Sequence, residues 1–158
     1  MAKLKPGDTA PDFELSDQNG KTRKLADYRD RKLLIYFYPQ ADTPGCTTQA
    51  CGIRSSMNEL LDVDILPIGI SPDTPEVQKL FDDKYCLGFP LLSDADHRVA
   101  DAYGVWGEKT TYGNRMEGII RSAFIVDEDG RILDAFYRIT PEETVPFALE
   151  VVEGAKKK

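Results

Sequence analysis

The stretch KLLIYFYPQADTPGCTTQAC, residues Lys32 to Cys51, decides the fold of this chain. It opens with an almost continuous apolar, β-prone run, which is typical of a strand buried on both faces of a sheet. Pro39 ends that strand, and Thr43 followed by Pro44 has the N-cap and first-position chemistry of a helix start. A buried strand that turns into a helix begins a β–α–β unit, so the stretch predicts an α/β sheet.

Alternating strands and helices are predicted on both sides of this stretch. Before it, Phe13 to Leu15 alternates like a short strand and ends at the turn signal Asn19-Gly20. After it, apolar periodicity predicts a helix from Thr43, whose inner face carries Ile53, Met57, Leu60 and Leu61, and then a buried strand from Ile65 to Ile70. The next predicted helix has Val77, Leu80 and Phe81 on its inner face. A strand from Phe89 to Leu92 and a short helix closed by Gly104 follow it.

The last third of the chain predicts a hairpin and a final helix. Strands at Ile119 to Val126 and Ile132 to Tyr137 are joined by the turn sequence DEDG, and a helix runs from about Pro141 to Val152. The early β–α–β–α order requires parallel strands, whereas the late hairpin requires an antiparallel edge. The prediction is one α/β domain over residues 1–158, with a mixed central sheet flanked by helices. A thioredoxin-like sheet has this element order.

Composition narrows the classes of function. The 158 residues carry a formal net charge of −7, which repels phosphate backbones and anionic membranes, so neither nucleic acid nor a membrane is an expected partner. No apolar run approaches a membrane span or the core of a signal peptide. Three cysteines at these spacings do not form a secreted disulfide scaffold, so we expect the protein in the reducing cytoplasm.

Cys46 carries the clearest chemical signal in the sequence. With Thr43 at the N-cap, Cys46 is the third helical residue, where backbone N–H groups lack helical partners and the helix dipole presents partial positive charge. Such a position favours the thiolate over the thiol. Thr43 either bonds back to the N–H of residue 46 or directs its hydroxyl toward whatever approaches the sulfur. The stretch therefore predicts a strand-to-helix turn that displays an activated sulfur.

The residues around Cys46 resemble a known active site. The spacing Pro39-x-x-x-Thr43-x-x-Cys46 is similar to the signature of peroxiredoxins, which are thiol-dependent peroxidases on a thioredoxin-like fold. The longer FYPQADTPGCTTQACGIR resembles the bacterioferritin comigratory protein (peroxiredoxin Q) subfamily, and FPLLSDADHRVADAYGVWGEK and RSAFIVDEDGRI extend the match from Thr9 to about Ile132. Two residues depart from it: Gln40 stands where lysine is common, and Ala123 where serine or threonine is usual.

The resemblance implies a mechanism. Cys46 attacks hydrogen peroxide or an organic hydroperoxide and becomes a sulfenic acid, Cys51 condenses with it to a disulfide, and thioredoxin or a glutaredoxin-like dithiol reduces the pair. Pro39 shields the sulfur, Thr43 and Arg121 hold the peroxide oxygens, and Gly45 belongs to the same substrate-binding set. The resemblance also suggests a monomer. The residues themselves predict no metal, since three cysteines and one histidine do not make a ligand set, and no organic cofactor, since no phosphate loop or dinucleotide fingerprint is present.

The position of Arg121 in the sequence also suggests a role near the sulfur. It heads an apolar strand, so its guanidinium lies near a sheet end, where a fixed cation would stabilise a thiolate and a leaving oxygen. Position does not separate it from Arg115 or Arg138. Arg54 is a poorer candidate, because eight residues of helix place it about 12 Å along the axis from Cys46.

The remaining reactive residues have plainer interpretations. An isolated cysteine is usually a small buried hydrophobe, which is the interpretation for Cys86. His97 is a surface or capping residue at a helix start, and Trp106 is a packing anchor. Two alternative functions remain: a protein dithiol–disulfide exchanger, against which the missing C-x-x-C counts, and a non-catalytic thioredoxin-fold binding or holdase module, which has no use for Thr43 and Pro39 at these spacings.

Overall fold

The computed structural model describes residues 3–111 and 114–156. Nine strands lie within those residues: β1 (Glu14–Ser16), β2 (Thr22–Lys24), β3 (Lys32–Phe37), β4 (Ile65–Ser71), β5 (Leu91–Ser93), β6 (Trp106–Thr111), β7 (Asn114–Ile119), β8 (Ser122–Val126) and β9 (Ile132–Tyr137). Five α-helices lie within them: α1 (Pro44–Ser55), α2 (Met57–Asp62), α3 (Pro75–Tyr85), α4 (Arg98–Ala102) and α5 (Thr144–Lys156). Two 3₁₀ turns, Leu25–Tyr28 and Pro141–Glu143, complete the regular structure of the described residues.

Seven strands form one mixed sheet in the order β2-β1-β5-β4-β3-β8-β9. β3, β4 and β5 are parallel, while β8 runs antiparallel to β3 and β9 antiparallel to β8. This is the mixed thioredoxin-like sheet with flanking helices that the sequence predicts, and the prediction is confirmed. Within the described residues, no helix has both the length and the apolar character needed to cross a membrane.

Alternate residues of β3 face opposite sides of the sheet, and a core lies on each side. Leu34 and Tyr36 pack with Cys46 of α1, Phe81 of α3 and Ala148 of α5. The other face carries a second core, which includes Leu33, Ile35, Phe37, Val99 and Tyr103. β3 is buried on both faces from Leu33 onward, as expected for a central strand. The first of these cores fixes α1 above the C-terminal end of β3.

The prediction of one strand from Ile119 to Val126 is wrong for its first three residues. Ile119 ends β7, which pairs with β6 in a two-stranded sheet of its own, and β8 begins at Ser122. The run Ile119-Ile120 looks continuous with the strand in sequence, but the Ile120 N–H donates to the carbonyl of Val105 instead. The polar sequence of β6 and β7 gave no apolar signal for the hairpin. Its consequence for function is that Arg121 lies in the break between two strands.

Helix faces differ from the predicted ones in two places. In α3 the buried residues are Gln78 and Phe81, whereas the side chains of Val77 and Leu80 are 40% and 70% exposed. Gln78 takes the inner position because its amide donates to Ser71 Oγ and to the carbonyl of Leu92, and accepts from Tyr38.

The helix predicted from Thr43 is broken at Ser56 into α1 and α2, and this turn leaves Leu61 46% exposed. The final helix is preceded by the 3₁₀ turn Pro141–Glu143, so α5 itself begins at Thr144.

We predict that Asp17→Asn lowers the free energy of unfolding by about 2 kcal/mol at neutral pH. The buried Asp17 carboxylate accepts from Arg23 Nε at 2.8 Å and from the N–H groups of Asn19 and Lys21. Burial alone raises the pKa of Asp17, but these donors outweigh it and hold the pKa below its usual value. The Asp17 carboxylate therefore contributes its full share of the free energy of unfolding above the unfolded-state pKa of about 3.9. This share is lost as the pH falls through the pKa of Asp17 in the folded protein.

Urea unfolding of Asp17→Asn and wild type at pH 7 and pH 3 checks this prediction. The difference between the two proteins should shrink at the lower pH. Asp83→Asn is the matched control, because Asp83 is exposed and its pair with Lys79 contributes little. A pH-independent difference would show that Asp17 acts through shape and not through its charge.

Candidate active site

Cys46 lies in the first turn of α1 with its side chain 1% exposed. Thr43 is the N-cap with extended backbone, Pro44 is the first helical residue, and Cys46 is the third. The thiol is a free cysteine held between the helix start and the core against Tyr36 and Tyr38. The sulfur therefore lies at the positive end of the α1 helix dipole, where little water can reach it.

Arg121 is the cation that reaches Cys46. Its Nη2 donates to Cys46 Sγ at 3.3 Å, and its Nη1 donates to Gln49 Oε1 at 2.7 Å. Arg121 lies in the break between β7 and β8 and so belongs to neither strand. Its carbonyl accepts from the N–H of Ile139 at 2.9 Å. A Cβ added at Gly45 would lie 3.1 Å from Nη2, so Gly45 gives the guanidinium the room to reach the sulfur.

Gln49 and Thr144 belong to this site although the sequence did not single them out for it. Gln49 Nε2 donates to Thr144 Oγ1 at 2.9 Å, and Thr144 Oγ1 donates to the carbonyl of Thr140 at 3.1 Å. The side chain of Gln49 is 1% exposed and that of Thr144 is fully buried. Gln49 is three residues after Cys46 and therefore on the same helix face, a signal available in the sequence. No local signal connects Thr144 with Gln49, 95 positions earlier.

Thr43 and Pro39 lie in the segment between β3 and α1, and both are half-buried. Thr43 makes no side-chain cap bond: its hydroxyl donates to the carbonyl of Gln40 at 2.9 Å, so the bond back to residue 46 is absent. The side chain of Gln40 takes no part in this hydrogen bond, which uses its backbone carbonyl. Asp42, with φ +61°, accepts from Lys84 and Tyr85, and the bond from Lys84 is the main reason that the pKa of Asp42 is lowered. These contacts fix the loop against the end of α3.

Cys51 and Cys86 are also free thiols. Cys51 is half-buried in the same continuous helix as Cys46. The interpretation of Cys86 as a buried hydrophobe is wrong, because its side chain is exposed at the C-cap of α3. It occupies a left-handed conformation, with φ +51°, where the helix ends and the chain turns. The carbonyl of Cys86 accepts from Arg54 Nε at 2.9 Å, which ties α3 to the last turn of α1.

The floor beneath the sulfur is aromatic and uncharged. Tyr36 and Tyr38 stack with ring centroids 5.5 Å apart, and both are completely buried. Burial raises the pKa of both phenols well above the usual value, so they stay neutral and cannot act as bases at physiological pH. Arg121 is therefore the charged group in contact with Cys46 among the described side chains.

The other sequence candidates lie elsewhere. His97 is the N-cap residue of α4; its ring stacks on Trp106 at 3.8 Å and contacts Asp101, so the two aromatic side chains form a small packing unit. Arg138 is exposed, and the side chain of Arg115 lies outside the described ones. Among the residues that the structure describes, no three His, Cys, Asp or Glu side chains are grouped to hold a metal ion.

The family model for AhpC/TSA proteins matches residues 6–135 of the chain. The chain belongs to the AhpC/TSA family. It is 48% identical over 136 residues to peroxiredoxin Bcp of Escherichia coli (strain K12), covering 86% of this chain and 87% of that protein. It is 50% identical over 137 residues to a putative peroxiredoxin of Mycobacterium tuberculosis (strain ATCC 25618 / H37Rv), covering 87% of each.

Solved structures agree with this assignment. Peroxidoxin BcpB from Mycobacterium tuberculosis superposes with a TM-score of 0.85 at 35% identity, over 96% of this chain and 97% of that one. A structure of the Xanthomonas campestris bacterioferritin comigratory protein, determined to study its alkyl peroxide reduction activity, superposes with a TM-score of 0.84 at 29% identity, over 90% and 91% of the two chains. The predicted peroxiredoxin of the bacterioferritin comigratory protein and peroxiredoxin Q type is confirmed, and this AhpC/TSA protein is a thiol-dependent peroxidase.

Proposed function

We propose that this enzyme reduces hydrogen peroxide and organic hydroperoxides with Cys46 as the attacking sulfur. The observation that carries the proposal is the 3.3 Å contact between Arg121 Nη2 and the buried Cys46 Sγ at a helix N-terminus. Two positive influences, the guanidinium and the helix dipole, stabilise negative charge on this sulfur. The alkyl peroxide activity of the Xanthomonas campestris relative supports organic hydroperoxides as substrates.

The first step transfers one oxygen atom to sulfur. The Cys46 thiolate attacks the terminal oxygen of the hydroperoxide, an S–O bond forms, and the O–O bond breaks. The sulfur is oxidised by two electrons, and the proton of the attacked O–H group passes to the departing oxygen, which leaves as water or an alcohol. The sulfenate that remains takes up a proton from solvent to become the sulfenic acid. The guanidinium of Arg121 presents only N–H donors, so its role is to stabilise the developing negative charge with hydrogen bonds.

Thr43, Gly45 and Pro39 shape the peroxide pocket. Since the Thr43 hydroxyl donates to the Gln40 carbonyl, its oxygen keeps lone pairs that can accept the O–H of a hydroperoxide. Gly45 leaves space for Arg121. We assign to Pro39 the role of shielding the sulfur, which is the role that the family resemblance implies. The resemblance to the bacterioferritin comigratory protein subfamily supports a monomer. The three cysteines, whose spacings do not form a secreted disulfide scaffold, support a place in the cytoplasm.

In the second step we propose that Cys51 attacks the sulfenic acid, forming a disulfide and releasing water. Both cysteines lie in α1, which is continuous from Pro44 to Ser55. Five residues of regular helix separate their Cα atoms by about 8.7 Å, from about 1.5 Å rise and 100° rotation per residue. A disulfide requires Cα atoms within about 7 Å. The bond therefore forms only after the first turns of α1 unwind.

The expected result of oxidation is faster amide hydrogen exchange across residues 45 to 52. Gly45, Thr47, Thr48 and Gly52 disfavour helix in this segment. The end of α1 from Ile53 onward should stay protected, because Ile53 is fully buried and Arg54 is tied to the carbonyl of Cys86. Hydrogen exchange on the reduced and oxidised protein, followed by mass spectrometry, measures this change. Oxidised protein that links Cys46 to Cys51 and keeps the whole of α1 protected would contradict the unwinding step.

A peroxidase assay tests the proposed function. Reduced protein should consume hydrogen peroxide and cumene hydroperoxide catalytically when thioredoxin, thioredoxin reductase and NADPH are supplied, and a glutaredoxin system tests the second candidate reductant. The same preparation should not reduce insulin disulfides, the reaction expected of a dithiol–disulfide exchanger. Insulin reduction without peroxide consumption would favour that alternative.

A further inference from the structure

A buried polar chain connects the start of α5 with the sulfur of Cys46. It runs from the Thr140 carbonyl through Thr144 Oγ1 and the Gln49 amide to Arg121, whose other guanidinium nitrogen contacts Cys46. The distances along it are 3.1, 2.9, 2.7 and 3.3 Å. Both uncharged side chains in the middle are at most 1% exposed, so water does not compete for these contacts.

The donors and acceptors in this series of hydrogen bonds allow only one orientation of the Gln49 amide. The Thr140 carbonyl can only accept, so the Thr144 hydroxyl donates to it and is left to accept from Gln49. Arg121 can only donate, so Gln49 must present its amide oxygen to the guanidinium and its NH₂ group to Thr144. The two ends of the chain therefore require the same orientation of the Gln49 amide. With the amide reversed, its NH₂ would face the donors of Arg121.

We propose that Thr144 is a positioning residue for the peroxide reaction: it fixes the orientation of the Gln49 amide, which holds Arg121 against Cys46. This deepens the proposed function and rests on it. Thr144 touches neither the sulfur nor the peroxide, so it acts through Gln49. The C-terminal helix thereby contributes to the first chemical step, because its first residue sets where the guanidinium points.

Thr144→Val removes the hydroxyl and keeps the shape of the side chain. We expect the second-order rate constant for hydrogen peroxide to fall about tenfold, less than the roughly hundredfold expected when a fixed electrostatic donor is lost altogether. Thr144→Ser keeps the hydroxyl and should restore the rate to within about twofold of wild type. Thr144→Ala serves if the valine variant does not fold, and the same expectations apply to it.

A double-mutant cycle separates positioning from a general structural role. If Thr144 acts through Gln49, then Thr144→Val should have no further effect in a Gln49→Leu background, where the amide is absent. Rates are compared at a temperature at which circular dichroism shows all variants folded. Equal rates for Thr144→Val and wild type, or independent and additive effects of the two substitutions, would overturn the proposal. A wild-type protein that itself does not react with peroxide would instead refute the proposed peroxidase.

Discussion

Replacing Cys46 by serine should abolish the reaction with hydroperoxides and leave the fold intact. Serine is nearly isosteric and can fill the same buried position next to Arg121. Its hydroxyl, however, does not ionise at neutral pH, and no general base contacts it among the side chains that the structure describes. Burial keeps Tyr36 and Tyr38 neutral, and the guanidinium of Arg121 offers only donors. We expect peroxide consumption no faster than in buffer.

Competition with a haem peroxidase for a limiting amount of hydrogen peroxide measures this rate. Cys86→Ser is the matched control, because Cys86 is exposed and its side chain is not part of the site; it should react at the wild-type rate. A Cys46→Ser variant that still competes for peroxide would show that another thiol reacts first.

Arg121→Met should slow the peroxide reaction on the order of 10²-fold. Methionine fills similar space but removes both donors, so the contact with Cys46 and the contact with Gln49 are lost together. The negative charge that develops on the leaving oxygen then loses its fixed donor in a site with little water. Arg121→Lys should recover only part of the rate, because a single ammonium group cannot reproduce the two-pronged geometry of the guanidinium.

Arg138→Met is the control for this substitution. Arg138 is exposed, and sequence position alone did not separate it from Arg121 as the active-site cation. The same competition experiment should give Arg138→Met the wild-type rate. If Arg121→Met reacts within about threefold of wild type, the guanidinium does not stabilise the reacting charge.

The strand β3, the turn and the helix α1 could be predicted because their signals are local. A continuous apolar run, a proline after it and a Thr-Pro helix start act over a few residues, so the position of Cys46 followed from neighbouring residues. Arg121 and Thr144 could not be placed near the sulfur from local signals. Arg121 reaches Cys46 only because β8 pairs with β3, and that pairing depends on the whole sheet.

Errors in the prediction also have physical causes. The hairpin of β6 and β7 is polar, so hydrophobic periodicity does not detect it. Gln78, together with the correctly predicted Phe81, takes the inner face of α3 in place of Val77 and Leu80, because a buried amide with satisfied hydrogen bonds is acceptable in a core. Gln49 and Thr144 were missed for a similar reason. Their polar side chains gain a function only from partners distant in sequence.

The most direct test is to identify which sulfur carries the oxygen after one equivalent of peroxide. Reduced Cys51→Ser protein is treated with hydrogen peroxide in the presence of dimedone, which traps sulfenic acids, and digested with trypsin. Cleavage after Lys32, Arg54, Lys84 and Arg98 places Cys46 and Cys86 on different peptides. The mechanism predicts the dimedone adduct on the Cys46 peptide alone, and a Cys46–Cys51 disulfide when wild-type protein is treated in the same way. An adduct on Cys86, or a Cys46–Cys86 disulfide in the wild-type protein, would contradict it.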